Sequence, residues 1–234
     1  MSTMEQHDRA KSINIAIDGP AGAGKSTVAR KVARRFGYLY IDTGAMYRAV
    51  TLAALRHGID AGDACRLGKL AAELDIRLEP GDPVQRVYLN GEDVTEAIRS
   101  RDVTQSVSAV AAVEAVRLRL VEMQRELAAA KGVVMDGRDI GSHVLPDAEL
   151  KVFLTASVEE RALRRYKEIG EAQGIPLATL EREIAERDRT DEQREISPLV
   201  RADDAVLLDS TRLSIDEVVD RIAHFGRTKL GEAK

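Results

Sequence analysis

The segment Gly19-Pro20-Ala21-Gly22-Ala23-Gly24-Lys25-Ser26 matches G-x-x-x-x-G-K-[ST], a pattern that dictates how the chain around it must fold. Ahead of it, Ile13-Asn-Ile-Ala-Ile17 is a short apolar, β-branched run suited to a buried parallel strand. Behind it, Ala29, Val32, Ala33 and Phe36 recur at helical spacing. Strand, glycine turn and helix in that order set backbone N–H groups around a space that a polyphosphate can fill. The glycines take positive φ and let the backbone approach the anion. The helix that starts near Lys25 aims its unsatisfied N–H groups and its positive dipole end at the same point. Lys25 adds a mobile cation near the β and γ phosphates, and the Ser26 hydroxyl, with Thr27 beside it, can reach a bound Mg²⁺. A glycine turn without a ligand is the plain alternative. Three glycines in register with Lys-Ser argue instead for a nucleoside triphosphate.

The rest of the chain alternates strands with helices, the pattern of a parallel sheet covered by helices on both faces. Strands are predicted at Ile13–Ile17, Tyr38–Ile41, Val133–Met135, Leu150–Leu154 and Ala205–Leu208. Three run directly into polar residues: Asp18-Gly19, Asp42-Thr43-Gly44 and Asp136-Gly137-Arg138-Asp139. Ligands of open α/β sheets gather at the carboxyl ends of strands, so these three segments are predicted to converge. Capping boxes at Ser157-Val-Glu-Glu160 and Ser214-Ile-Asp-Glu217 mark two helix starts. The second helix carries Ile215, Val218, Val219, Ile222 and Phe225 on one face. A long helix from about Val113 to Ala130 carries Val113, Val116, Leu120 and Leu127 on another. Alternation breaks between about residues 70 and 108, where Ile76–Leu78, the turn Pro80–Pro83, Val84–Leu89 and Asn90-Gly91 read as an antiparallel hairpin region, an inserted small α/β subdomain. Residues from about 157 to 200 are helical, crowded with both charges and poor in large apolar side chains, which suits a mobile lid.

Composition narrows the class. The 234 residues are 44% hydrophobic, enough for one good core and an attached subdomain. With 35 basic and 39 acidic residues the formal net charge is −4, which argues against nonspecific nucleic-acid binding. The single Cys65 gives neither a disulfide framework nor a cysteine metal site and suits a reducing cytoplasm. The four histidines show no ligand spacing. No apolar run approaches the roughly 18 residues of a membrane helix. Met1–Lys11 is polar and lacks the apolar centre of a secretory signal, so residues 1–12 read as a disordered tail or cloning extension. The expectation is a cytoplasmic monomer with neither membrane nor nucleic acid as partner.

A phosphate loop does not name a reaction. The chain has no Asn-Lys-x-Asp motif to read guanine, and no apolar strand ending in the adjacent Asp-Glu of many water-activating ATPases. Instead Val133-Val-Met-Asp136 leads into Gly137-Arg138-Asp139, where an arginine offers a bidentate grip on a second anion. Arg187, Asp191 and Arg194 fall at i, i+4 and i+7, one helical face if the helix extends that far. Arg117 lies about 40° from Val113 on the helical wheel, beside an apolar stripe where an arginine is costly unless paired. Arg48 follows Thr43-Gly-Ala-Met-Tyr47 at the start of another helix. Each arginine alone could be an ordinary ion pair of small worth. Arginines on several elements, aimed at one crevice, suit two phosphate-bearing substrates.

At this point four segments together resemble the bacterial cytidylate kinases. They are Asp18-Gly-Pro-Ala-Gly-Ala-Gly-Lys25-Ser26, Asp42-Thr-Gly-Ala-Met-Tyr47-Arg48, Asp136-Gly-Arg-Asp-Ile-Gly141, and Arg187-Asp-x-x-Asp191-x-x-Arg194 with Pro198-Leu199. The likeness runs from about Ile13 to Phe225, and the insertion after residue 70 resembles the extra subdomain of the bacterial type. It implies an α/β P-loop kinase, a five-stranded parallel sheet flanked by helices, with one kinase domain over residues 13–234. It also implies transfer of a phosphoryl group from ATP to CMP or dCMP with Mg²⁺, giving ADP and CDP or dCDP, a step of pyrimidine nucleotide metabolism. Carried over by position, it implies an acceptor site of Thr43, Tyr47, Arg48, Ser108, Arg117, Arg138, Asp139, Arg187, Asp191 and Arg194. Among these, Ser108, Arg138 and Asp191 would address cytosine or its sugar, and Arg48, Arg117 and Arg194 the acceptor phosphate or ribose. Lys25, Arg138, Arg187 and Arg194 would be catalytic, with Arg164 a further lid arginine on the ATP side. Mg²⁺ would be held by Ser26, with Asp136 acting through water. Thr43 and Ser26 stand where the family pattern has serine and glycine, and both keep a hydroxyl within reach.

The implied acceptor is already an anion, so positioning and charge stabilisation should carry catalysis without a strong general base. Lid closure would also keep water away from ATP. Two other readings stay open. A P-loop kinase for a different acceptor, another nucleoside monophosphate or a metabolite hydroxyl, could use Asp136 or Asp139 as a base. A nucleotide-dependent switch acting through a partner protein has no guanine motif behind it.

Overall fold

The computed structural model describes residues 12–81, 84–171 and 174–232. The tail predicted over residues 1–12 lies outside them except for Ser12, as do Asp82 and Pro83 of the predicted turn. The chain runs β1 (Asn14–Asp18), α1 (Lys25–Phe36), β2 (Leu39–Asp42), α2 (Thr43–Arg56), α3 (Ala64–Glu73), β3 (Ile76–Glu79), β4 (Arg86–Leu89) and β5 (Glu92–Asp93). It continues through α4 (Arg101–Ala111), α5 (Glu114–Ala128), β6 (Val133–Gly137), β7 (Leu150–Thr155), α6 (Val158–Arg165), α7 (Leu177–Glu192), β8 (Val206–Asp209) and α8 (Ile215–Leu230). Two compact units result, the first taking the chain up to Leu39 and again from Ala130, the second Tyr40–Ala129.

The five strands predicted for the core form one parallel sheet in the order β2-β6-β1-β7-β8. Each runs one or two residues further at its carboxyl end than its apolar run suggests, taking in Asp18, Asp42, Gly137, Thr155 and Asp209. Ladder hydrogen bonds belong to the backbone, so pairing continues after side chains turn polar. Thus Asp18 pairs with Gly137 on one side and Phe153 on the other. All five residues of the central β1 are buried, its apolar Ile15-Ala16-Ile17 as well as Asn14 and Asp18, as expected of a strand covered on both faces.

Helix α1 buries Val28, Ala29, Val32 and Ala33 and is closed at both ends by left-handed glycines, Gly24 and Gly37. Helix α8 lies against it, so close that a Cβ at Gly226 would come within 2.7 Å of the Phe36 ring. Lys31–Asp216 and Arg35–Asp220 ion pairs flank this contact. The Ser214–Glu217 capping box is complete. At Ser157 only half of the predicted box forms: the hydroxyl accepts from Glu160 N–H, but the Glu160 carboxylate pairs with Arg164 one turn on, at 3.0 Å. In α8, Val218, Val219 and Ile222 are buried as predicted, whereas Ile215, the first helical residue, stays 47% exposed. Helices α6 and α7 pack around their own cluster of Ala162, Leu180 and Ile184, edged by Tyr166, Ile175 and Leu177. The apolar residues of this segment are few, yet Leu180 and Ile184 at i, i+4 share one face and suffice for a small core.

The second unit has its own core, drawn from α2, α3, β3, β4, α4 and α5. Its three-stranded antiparallel sheet has the order β3-β4-β5. Asn90 and Gly91 turn the chain between β4 and β5 with φ of 51° and 85°, the two positive values that a type I′ turn demands. The stripe predicted on α5 is rotated: Val116 and Leu120 are buried, but so are Arg117, Val121, Gln124 and Ala128, and Leu127 is 40% exposed. Two polar side chains inside the buried face have displaced the leucine to its edge. Helices α3 and α5 touch through Gly68 and Ala115, where an added Cβ would meet Ala115 Cβ at 2.7 Å. Gly68→Ala is therefore expected to destabilise the protein, because overpacking of about 1–3 kcal/mol outweighs a helix-propensity gain of at most about 1 kcal/mol. A lowered urea midpoint at unchanged slope is the expected readout.

Candidate active site

The phosphate loop is built at the carboxyl edge of the first unit's sheet. A Cβ at Gly19 would fall 1.9 Å from the Leu154 carbonyl oxygen of β7, so only glycine lets β1 turn there. Gly22 and Gly24 have φ of 74° and 86°, the left-handed values that the loop requires. Lys25 opens α1 with its ammonium buried and donating to Pro20 O at 2.7 Å. Ser26 Oγ donates to Asp136 Oδ2 at 2.9 Å, joining the loop to the end of β6. Burial, then the positive charges of Arg138 and Arg187, push the Lys25 ammonium well below its ordinary pKa, while Asp136 and Asp18 pull it back. An anion on the loop would act in the same direction as these two carboxylates.

Asp18 ties the loop to the next strand's end. Its two oxygens accept from Ile140 N–H at 2.8 Å and Gly141 N–H at 2.7 Å. Burial raises its pKa to about 6 against these two donors, with Asp139 adding to the rise. Arg138, which leaves β6 just before this turn, donates through Nε to Asp191 Oδ2 at 2.8 Å. Burial alone would push the Asp191 carboxyl up, yet Arg138, Arg187 and Arg194 outweigh it and hold the group below the usual carboxylate range. Arg187 and Asp191 share a face of α7. Arg194 does not, because the helix ends at Glu192; the chain turns back through Ser197, whose carbonyl receives Arg194 Nη2 at 2.8 Å. Leu199 N–H returns to Asp191 O at 2.8 Å and closes that turn.

Other side chains here carry no spacing signal in the sequence. Arg161 of α6 and Asp188 of α7 both grip Ala21 in the loop. Arg164 donates to Ser210 O at 2.7 Å, to Ser210 Oγ at 3.1 Å and to Ala23 O at 3.5 Å. It thereby links α6, the turn after β8 and the loop. Asp188 is disguised by its neighbours Arg187 and Asp191, and Arg161 reads as one of several charges on an exposed helix.

The remaining acceptor-side candidates lie in the second unit. Thr43 is the first residue of α2, and Asp42 caps that helix by accepting from Ala45 N–H at 2.9 Å. The Arg117 guanidinium, almost wholly buried, lies over the Tyr47 ring at 5.5 Å and donates to Ala111 O at 3.3 Å. Arg48 instead donates to Thr104 Oγ1 at 2.8 Å and Ile98 O at 3.3 Å, which ties α2 to α4 and the turn before it. Ser108 is half-buried on α4. Among the described residues no group of three or more His, Cys, Asp or Glu could hold a metal ion, and no helix is long and apolar enough to cross a membrane. The hydroxyl–carboxylate pair Ser26–Asp136 offers hard oxygen donors of the kind that Mg²⁺ takes beside substrate phosphates.

A family model described as Cytidylate kinase matches residues 15–227. The cytidylate kinase of Exiguobacterium sibiricum is 56% identical over 94% of this chain and 99% of its own length. That of Ligilactobacillus salivarius is 56% identical over 91% of this chain and 95% of its own. Among solved structures, the crystal structure of an uncharacterized protein from Eubacterium ventriosum covers 93% of this chain and 99% of its own, with a TM-score of 0.51. At 15% identity it speaks for the fold alone. With a match that spans nearly the whole chain, this protein belongs to the cytidylate kinase family.

Proposed function

We propose that the enzyme transfers the γ-phosphoryl group of ATP to CMP or dCMP, giving ADP and CDP or dCDP. The observation that carries this reading is a cluster of cations facing one loop: Lys25, Arg138 and Arg187 interact electrostatically, and Arg138, Arg187 and Arg194 all act on Asp191. So much positive charge is unstable by itself and is suited to the two phosphate groups that a monophosphate kinase must bring together. Family membership supplies the acceptor.

In this reading residues 19–27 cradle the ATP phosphates, Lys25 binds the β and γ groups, and Arg164 contributes on the donor side. Ser26, with Asp136 through water, would hold Mg²⁺, which neutralises phosphate charge when bound. Thr43, Tyr47, Arg48, Ser108, Arg117, Arg138, Asp139, Arg187, Asp191 and Arg194 bind the acceptor nucleotide. Arg138, Arg187 and Arg194 stabilise the charge that develops on the transferring group, and residues 157–200 act as a lid that excludes water.

The test is ADP release measured against a panel of CMP, dCMP, UMP and AMP, with CMP and dCMP expected to be the best acceptors. Lys25→Ala is expected to abolish turnover with every acceptor, and near-normal kcat would overturn the phosphate-loop assignment. Arg187→Ala should lower kcat by roughly 10³-fold or more, the loss expected for an arginine acting in the transition state. A change confined to KM would reduce it to a ground-state contact. Asp191→Ala removes a charge-assisted bond to Arg138 and should raise the KM for CMP about 10- to 100-fold while leaving that for ATP nearly unchanged. Equal losses for both nucleotides would place Asp191 elsewhere.

A further inference from the structure

Ala21 sits mid-way along the phosphate loop, and both of its backbone polar groups are taken by side chains of the helical segment. Asp188 Oδ1 of α7 accepts from Ala21 N–H at 3.0 Å, and Arg161 Nη1 of α6 donates to Ala21 O at 2.8 Å. The same guanidinium nitrogen reaches Asp188 Oδ2 at 2.5 Å, and Arg161 Nε donates to Ala156 O at 2.9 Å. Arg161 is 4% exposed and Asp188 8%. At the next residue, Gly22, an added Cβ would stand 3.1 Å from Arg161 Cβ and 3.6 Å from Ile184 Cδ1. Both helices therefore press directly on the loop backbone.

Burying two charges is expensive, and an apolar pair of similar volume commonly gives equal or better stability. Stability alone does not account for this pair. Its geometry does something that an apolar pair cannot: it fixes the loop by two directed hydrogen bonds and, through Asp188, fixes the rotation of α7 about its axis. Arg187 is the preceding residue and Asp191 lies one turn further along the same helix. A slip of α7 would carry both away from the loop, and misplacement by about 1 Å can cost about 10²-fold in rate.

We propose that Arg161 and Asp188 are a positioning pair that registers the arginine-bearing helix on the phosphate loop, so that loop conformation and the placement of Arg187 vary together. This rests on the kinase reading above. Neither residue touches the reacting atoms; each acts through Ala21 and α7.

The test uses two variants of the full chain. Asp188→Asn keeps size and an acceptor but removes the charge that faces Arg161. At a temperature where melting curves show it folded, kcat is expected to fall about 10- to 100-fold and the KM values for both ATP and CMP to rise, because the loop and α7 move together. The double variant Arg161→Met/Asp188→Leu restores packing without direction. Its melting temperature should equal or exceed that of wild type while its kcat stays as low as that of the single variant. Recovery of kcat together with stability in the double variant would make the pair merely structural and overturn the proposal. Unchanged kcat in Asp188→Asn, or a change confined to KM, would do the same and decides the matter if the double variant does not fold. Wild-type turnover of CMP in the same assays leaves the kinase reading intact under those outcomes; its absence removes both.

Discussion

Cations can be gathered in a buried crevice only if carboxylates hold them there, and this site is organised by its aspartates. Asp191 fixes Arg138, Asp188 fixes Arg161, and Asp136 takes the Ser26 hydroxyl beside Lys25. Asp18 binds two backbone N–H groups, which sets the course of the chain just after Arg138. An isolated buried charge costs several kcal/mol, so each of these partners restricts where its cation can rest. The result is a set of arginines whose positions the protein itself holds. Such preorganisation is the main source of catalysis when the reaction offers little chemistry for the protein to perform.

Lys25 shows what this gathering of cations does to one of its members. Its ammonium is buried, caps Pro20 O, and is pushed far below its ordinary pKa by burial and by Arg138 and Arg187. Each phosphate oxygen that enters would favour the charged form and strengthen every charge-assisted bond around it. Binding of such an anion would then draw on the relief of repulsion among cations as well as on new contacts. Electrostatics thus act between the loop and Arg187 of α7, alongside the hydrogen bond that joins Ala21 to Asp188 of the same helix.

What the sequence made legible was local. The loop pattern, the five apolar runs and the Asn90-Gly91 turn depend on residues within a few positions of one another, and each led to the element observed. Failures arose where a competing contact or an early helix end decided the outcome. Leu127 fits the apolar period of its helix, yet buried Arg117 and Gln124 claim the inward face and leave it at the edge. The Glu160 carboxylate should close a capping box but has Arg164 within reach. Arg194 continues a helical spacing whose helix has already ended. Arg161 and Asp188 gave no signal at all: 27 positions separate them, and their common target is a backbone amide that no pattern of side chains encodes.

The second unit poses the same problem, with a neutral side chain in the organising role. Gln85 is buried, donates through Nε2 to Tyr40 O at 2.6 Å and accepts from Asp42 N–H at 3.1 Å. One amide thus satisfies two backbone groups of β2, two residues apart, as a neighbouring strand would. Asp42 in turn caps α2 by accepting from Ala45 N–H, so the chain is held on both sides of Thr43. Gln85 lies between the two strands of an antiparallel hairpin that is anchored in the second unit's core, which keeps the glutamine from drifting. The segment before β4 thus helps to set where Thr43 stands, through two hydrogen bonds from one side chain to β2.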